Sequence, residues 1–327
     1  MASGEVITVG TWEERGTTMG PVLSALDRLR RCDRRGAVRA SFLTLLAVGG
    51  RSVEVDEVFD TVHRLGIVQP TRVVVVRVIG RKEPRLDARV GVHLQSRGER
   101  CLGIDDVALE VGGPLTDHLD SLVEPLTLPD LPVVVWCRER LPPARSRLID
   151  LADHLVVDTT AAGGRDRLPA LARLHQRTPV VDFAWLRLQP LRQALGAWVR
   201  RPAFRPLLDQ LDATTVSGPD VDRALLGAWL GDRLAATTVV EGPTTDQPSL
   251  TLTGKGLRLE VAARSGAVVT TLEQPGRDAW RGQTAAPPAH TEELLAQALL
   301  HLQPDPVYTR TLAIAASPPP ILEDRGG

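Results

Sequence analysis

The chain has 327 residues, 43% of them hydrophobic and 24% charged, with a formal net charge of −1. Such a composition excludes a wholly disordered or fibrous chain, and so small a charge leaves no global field to hold a polyanion. At this length, beyond the roughly 250 residues at which one hydrophobic core stops growing, two domains are expected.

The first predicted element is a helix opening at Thr17 or Thr18, with Val22, Leu23, Leu26 and Leu29 on one face, ending among Arg28, Arg30, Arg31, Arg34 and Arg35. Val38 to Val48 reads as a buried strand stopped by Gly49 and Gly50. Val55, Val58, Phe59, Val62 and Leu65 recur at helical spacing before Gly66. Arg72 to Ile79 holds four consecutive valines, which suit a strand buried on both faces, and closes a βαβ unit. Arg89 to Gln95 and Cys101 to Val111 flank a turn at Gly98 and read as an antiparallel hairpin, so the sheet is mixed. A helix over Leu115 to Leu126, strands at Leu131 to Cys137 and Leu155 to Asp158, and a helix around Leu148 complete an α/β N-terminal domain, residues 1–160.

The small, polar stretch from Thr159 to Asp166 marks the boundary. Beyond it, helical faces appear at Leu168, Leu171 and Leu174, at Leu191, Leu195, Trp198 and Val199, and at Val221, Leu225, Trp229 and Leu230. The period then drops to two. Leu250 and Leu252, then Leu257, Leu259 and Val261, alternate with polar residues about a Gly254-Lys255-Gly256 turn, and Ala267 to Leu272 extends the meander. A last helix over Glu292 to Leu302 leads to a Pro-rich tail after about residue 316. The second domain, residues 161–327, is therefore expected to be α+β, helices followed by an antiparallel meander.

No stretch approaches 18 uninterrupted apolar residues, and the first ten residues lack a charged segment followed by an apolar run. Three cysteines, Cys32, Cys101 and Cys137, are odd in number and form no Cys-x-x-Cys pair. The expectation is a cytoplasmic protein with no membrane span.

The usual catalytic signatures do not appear. Gly254-Lys255-Gly256 lacks the spacing of a phosphate-binding loop, and Gly49-Gly50-Arg51-Ser52-Val53-Glu54 lacks the dinucleotide fingerprint. None of seven histidines stands at metal-ligand spacing, although His93 shares a strand face with Gly91 and Gln95. Asp105 and Asp106 point to opposite faces of an extended chain and read as turn residues beside the strand, not as a paired acid and base. No catalytic residue, metal or cofactor is assigned. The alternative is a sugar-phosphate enzyme built from dispersed arginines and the strand-end Asp130, Asp158 and Asp182. Asp27 and Asp33 dilute the arginine cluster near residue 30, and no aromatic residue interleaves it, so nucleic acid is not an expected partner.

Six tryptophans accompany a single tyrosine. Tryptophan and arginine are the residues enriched at binding hot spots. Trp136 stands beside Arg138 and Arg140, and Trp185 is followed by Arg187 and Arg192, so Trp136, Trp185, Arg187 and Arg192 are the candidate partner contacts.

Those neighbourhoods carry a family resemblance. Leu128-Pro129-Asp130-Leu131-Pro132-Val133-Val134-Val135-Trp136 and Asp182-Phe183-Ala184-Trp185-Leu186-Arg187-Leu188-Gln189-Pro190-Leu191-Arg192 closely resemble the two signature segments of the glucose-6-phosphate dehydrogenase assembly protein family, OpcA. Further similarity runs through about residues 11 to 315, with departures at Cys137 and at Leu191, where the family usually has tryptophan. The resemblance implies a non-catalytic protein that binds glucose-6-phosphate dehydrogenase and promotes its assembly or allosteric activation. It would thereby support the oxidative pentose phosphate pathway and NADPH supply.

Overall fold

The computed structural model describes residues 6–32, 42–65, 71–97, 100–143, 145–202, 204–234, 238–286 and 289–317. In chain order, the elements through the first half are β1 (Val6–Glu14), α1 (Met19–Arg31), β2 (Leu43–Gly49), α2 (Val55–Leu65), β3 (Thr71–Ile79), β4 (Arg85–Arg97), β5 (Arg100–Gly112), α3 (Leu119–Val123), β6 (Val133–Cys137), α4 (Leu148–Leu151) and β7 (His154–Val157). They are followed by α5 (Leu168–His175), β8 (Val180–Asp182), α6 (Phe183–Arg187), α7 (Gln189–Val199), α8 (Arg205–Leu208), β9 (Ala213–Ser217), α9 (Asp220–Arg233), β10 (Thr238–Glu241), β11 (Ser249–Gly254), β12 (Leu257–Arg264), β13 (Ala267–Gln274), β14 (Arg277–Ala285), α10 (Thr291–Leu300) and α11 (Pro306–Ala315). The chain divides into two compact units that are not continuous segments. One comprises Met1–Ala162, Arg173–Val181 and Thr291–Leu302, and the other Gly163–Ala172, Asp182–His290 and Gln303–Gly327.

The first unit is built on a mixed sheet of order β1-β4-β5-β3-β2-β6-β7-β8. Its middle is parallel, since β5, β3, β2, β6 and β7 pair in that sense, while β1, β4 and β5 pair antiparallel at one side. Helices must cover both faces of a parallel sheet, which requires strands apolar on both sides. Leu45 and Val73, Val74, Val75 and Val76 meet that requirement and are 0 to 1% exposed. Each such side chain contributes about 1.5–3 kcal/mol by leaving water.

Two sequence expectations change here. The first element is a strand, not a helix: β1 lies at the sheet edge, a register shift between Thr8 and Gly10 interrupts its alternation, and most of its residues remain partly exposed. The helix expected over Leu115 to Leu126 is broken into a 3-10 turn (Gly113–His118), α3 and a second 3-10 turn (Glu124–Leu126). Pro125 accounts for the second break, because it has no amide N–H to continue α3, whereas Pro114 stands at the start of the first 3-10 turn, where none is needed. Residues 38–41 of the expected second strand, and the hairpin turn at residues 98–99, lie outside the described residues.

In the second unit, helices precede a sheet of order β10-β9-β11-β12-β13-β14, antiparallel except for the β10–β9 pair. Leu250, Leu252, Leu257, Leu259 and Val261 turn inward at period two, with exposures of 4% or less. The β11–β12 turn forms at Lys255 and Gly256, both at positive φ. Among the described residues no helix is long and apolar enough to cross a membrane.

Candidate functional site

The most concentrated polar chemistry in the first unit lies in mid-strand on β5, not in a turn as expected. Asp105 and Asp106 are 6% and 4% exposed, and strand alternation sends them to opposite faces. On one face Asp105 receives Arg30 of α1, whose Nε donates to Oδ1 at 3.3 Å and whose Nη2 reaches Oδ2. Arg72, its cross-strand neighbour on β3, adds Nη2 at 3.5 Å from Oδ2 while its Nη1 donates to the Leu126 carbonyl at 2.7 Å. A buried carboxylate thus binds two guanidinium groups, one of them on the helix covering it.

On the other face Asp106 is held between two histidines. His63 Nε2, from α2, lies 2.9 Å from Asp106 Oδ2, and His93 Nε2, from β4, lies 3.2 Å from the same oxygen. The geometry follows from register. Gly91 stands directly opposite Asp106, His93 is two residues further on the same face, and its ring folds back over the glycine. A Cβ at position 91 would lie 2.6 Å from His93 Nε2, so only glycine leaves the ring its place. Thr8, paired with His93 across the β1–β4 ladder, brings its Oγ1 to 3.2 Å from His93 Nδ1. The two imidazoles pack edge to face with centroids 5.4 Å apart, and Phe59 stacks beyond His63 at 6.3 Å.

Burial by itself disfavours charge on both partners. For His63 that cost is outweighed by the Asp106 hydrogen-bonding and charge interactions and by the charge of Asp60, which together raise its pKa above 6.5. For Asp106 the two histidines outweigh burial and hold its carboxyl below 3.8. Asp106 Oδ1 is buried without a hydrogen-bond partner among the described residues. A cavity of about 600 Å³ opens over this cluster, lined by Thr8, Phe59, His63, Arg89 and His93 among others. The lining carries both signs of charge, with Arg89 paired to Asp56. Among the described residues no group of three or more His, Cys, Asp or Glu side chains is arranged to hold a metal ion.

The candidate contact residues divide between the units. Trp136 belongs to the first, is 2% exposed, and packs under Arg138, whose guanidinium carbon is 4.8 Å from the ring centroid. Arg138 also pairs with Glu57 at 3.0 Å. In the second unit Trp185 is 3% exposed, Arg192 is half-buried, and Arg187 is exposed. Both indoles therefore serve the core, and the guanidinium groups beside them carry the accessible polarity.

Trp185 is part of a closed network. Its Nε1 donates to Asp305 Oδ2 at 3.0 Å, and the Arg192 guanidinium lies 3.5 Å over its ring while donating to its carbonyl at 3.2 Å. Burial lowers the Arg192 pKa to about 10, partly offset by the charge of Asp305. Asp305 Oδ1 caps α11 by accepting from Val307 N at 2.8 Å and Tyr308 N at 3.1 Å. The Tyr308 hydroxyl donates to Asp182 Oδ2 at 3.2 Å, and Asp182 Oδ1 caps α6 by accepting from Ala184 N at 3.0 Å. This network ties α6, α7 and α11 together. Sequence reasoning missed α11, although Asp305-Pro306 is the cap-then-proline pattern of a helix start.

Other candidates have structural roles. Both oxygens of Asp182 are engaged as described, Asp158 Oδ1 accepts from Thr160 N at 3.2 Å, and Asp130 occupies a turn at φ 63°. Cys137 is buried, which pushes its thiol up to about 12, and Cys32 is exposed.

Residues 64–176 match the family model described as the glucose-6-phosphate dehydrogenase subunit N-terminal domain, and residues 178–312 match the one described as the C-terminal domain of that subunit. No curated protein matches the chain. Among solved structures, the chain is similar to a super-repressor mutant of Gal80p from Saccharomyces cerevisiae, at 5% identity and a TM-score of 0.43 over 84% of this chain and 93% of that one. It is also similar to the UDP-N-acetylglucosamine 3-dehydrogenase GnnA from Acidithiobacillus ferrooxidans, at 8% identity and a TM-score of 0.39 over 84% and 95%. An oxidoreductase from Sinorhizobium meliloti gives 10% identity and a TM-score of 0.40 over the same shares. At such scores the likeness identifies neither a shared fold nor a shared activity.

Proposed function

The chain belongs to the glucose-6-phosphate dehydrogenase assembly protein family, OpcA, and we propose that it is a non-catalytic partner that binds that dehydrogenase and promotes its assembly or allosteric activation. The observation that carries this reading is the match of two consecutive family models, each named for a subunit of the enzyme, across residues 64–176 and 178–312. The engagement of Asp182 in a helix cap and a tyrosine hydrogen bond agrees with it, because a strand-end carboxylate so used is not free for acid or base chemistry. In this reading the protein works in the cytoplasm and supports the oxidative pentose phosphate pathway and its NADPH supply.

A binding partner activates an enzyme by favouring its active state, and a tenfold shift needs only about 1.4 kcal/mol of differential binding. The proposed contact residues are Trp136 in the first unit and Trp185, Arg187 and Arg192 in the second. The exposed Arg187 makes the direct contact, while the buried indoles hold the guanidinium groups of Arg138 and Arg192 in place.

The test is dehydrogenase kinetics at limiting glucose 6-phosphate, with and without this protein, alongside light scattering of the mixture. The expected result is a larger particle together with a lower KM or a higher kcat, both weakened by Arg187→Glu. Absence of co-elution together with unchanged kinetics sinks the reading. Turnover of a phosphorylated sugar by this protein alone, lost in Asp130→Ala, would establish the enzyme alternative in its place.

A further inference from the structure

Where the β1–α1 turn, the β3–β4 connection and the segment following β5 meet, the first unit carries a second concave site. Its cavity, about 560 Å³, has the size of a small-molecule pocket. Arg15 lines it from the first connection, Arg81 from the second, and Arg85 from the start of β4, over a floor that includes Leu86 and Leu115. Glu83 is the one carboxylate among its lining residues. Two further cations flank the same connection: Lys82, exposed, and Arg51, whose Nη2 donates to the Gly80 carbonyl at 3.0 Å. In a protein of net charge −1, this is a local concentration of positive charge.

These cations are not consumed by the fold. Asp87 takes only the Nε–H of Arg85, at 3.0 and 2.7 Å from its two oxygens, so both terminal nitrogens of Arg85 remain unused among the described residues. The guanidinium groups of Arg15 and Arg81 donate no hydrogen bond among the described residues, and Arg15 acts on Asp87 only through its charge. The backbone around them is nevertheless fixed. Gly16 N donates to Asp87 Oδ1 at 2.8 Å, Thr17 N to the Leu86 carbonyl at 2.8 Å, and Gly113 N to the Arg81 carbonyl at 3.1 Å. Gly113 sits at φ 65°, and a Cβ there would lie 2.4 Å from the Glu83 carbonyl oxygen, so glycine permits the close approach that holds the connection. Planar cations with unused N–H groups, carried on fixed backbone, suit the recognition of tetrahedral oxyanions.

We propose that this cleft binds the phosphate group of a small phosphorylated metabolite, with Arg15, Arg81 and Arg85 as the recognising cations. The concave, single-molecule size of the cavity favours a metabolite over a nucleic-acid strand, and no aromatic residue lines it to stack a base. The apolar floor accommodates the carbon skeleton. The site is independent of the proposed dehydrogenase contact.

The experiment is a calorimetric titration of the full chain with inorganic phosphate, with a hexose phosphate, with the same hexose unphosphorylated, and with a short single-stranded oligonucleotide. Saturable binding of both phosphates and none of the plain hexose is expected. Because Arg15 and Arg81 are exposed, the Arg15→Gln/Arg81→Gln double variant should keep its circular dichroism and melting profile yet bind hexose phosphate at least tenfold more weakly. Arg147→Gln, which removes an exposed arginine that does not line the cleft, should bind as the unmodified protein does. The proposal is overturned if neither phosphate binds saturably, if the double variant binds undiminished, or if the oligonucleotide binds and the metabolite does not.

Discussion

Asp105 and Asp106 are neighbours on one strand, equally buried, and each anchors a helix to its own face of the sheet, yet the two anchors differ in kind. Asp105 holds α1 through Arg30 and is braced by Arg72. Arginine keeps its proton across the neutral range in which imidazole loses its own, so this anchor stays charged there. Asp106 holds α2 through His63 and is braced by His93. Imidazole titrates near neutrality, so the second anchor responds to pH. One strand thus carries a fixed clamp on one face and a releasable one on the other, and the difference lies wholly in which cation the covering helix and the adjacent strand supply.

The largest expected effect comes from removing the fixed anchor. Asp105→Ala leaves Arg72, 4% exposed, with its charge buried and its ion pair lost, and should cost about 3–5 kcal/mol. Urea denaturation checks the size, and hydrogen exchange should show the opening concentrated in α1. A loss below about 1 kcal/mol, the range of a surface pair, would mean that Asp105 is not the anchor inferred here.

A smaller and pH-dependent effect is expected at Asp106. His63 has a raised pKa in the folded protein, so its contribution is complete below 6.5 and is lost as pH rises through the folded value. Asp106 has a lowered pKa, so its contribution is present above 3.8 and is lost as pH falls through its own folded value. The α2 clamp is therefore strongest between those two ordinary values. Rate-corrected hydrogen exchange should show α2 loosening as pH rises above 6.5 while α1 does not, and Asp106→Asn should flatten that dependence. An α2 profile that is flat in the unmodified protein would remove the contrast between the two anchors.

The smallest effect is expected from Gly91→Ala. The added methyl meets the His93 ring first and displaces it, at a cost of about 1–2 kcal/mol. His63 should keep its raised pKa, and NMR titration of its ring protons reads this directly. Should the His63 pKa fall to its ordinary value in this variant, the two histidines act as one unit, and His93 is more than a brace.

Much of the architecture was legible in the chain. The run of valines over residues 73–76 could only serve a strand covered on both sides, the period of two from Leu250 to Val261 belonged to a sheet with one buried face, and the spacing of Val55, Val58, Phe59 and Val62 was helical. Short or edge elements were not legible. β1 alternates imperfectly, β8 spans three residues, and α6 spans five, too few for any period to stand out. The candidate site was less legible still. His63, His93 and Asp106 are separated by 30 and 13 positions, and nothing in local sequence signals that β4 and β5 register would set Gly91 opposite Asp106. Trp136 and Trp185, chosen for their arginine neighbours, proved to be buried, because an arginine can stack on an indole from outside while the indole fills the core.

By itself the sequence determined the order and kind of the long elements, because hydrophobic period and turn chemistry act over a few residues and need no knowledge of what lies far along the chain. It also carried the family, through the segments around Trp136 and Trp185. Only the tertiary structure decided what the polar residues do. Whether a carboxylate ends as a turn residue, a fixed anchor or a titrating one depends on which cation is brought to it in space, and strand register, not sequence neighbourhood, makes that choice. At Asp105 and Asp106, one residue apart, it chose differently.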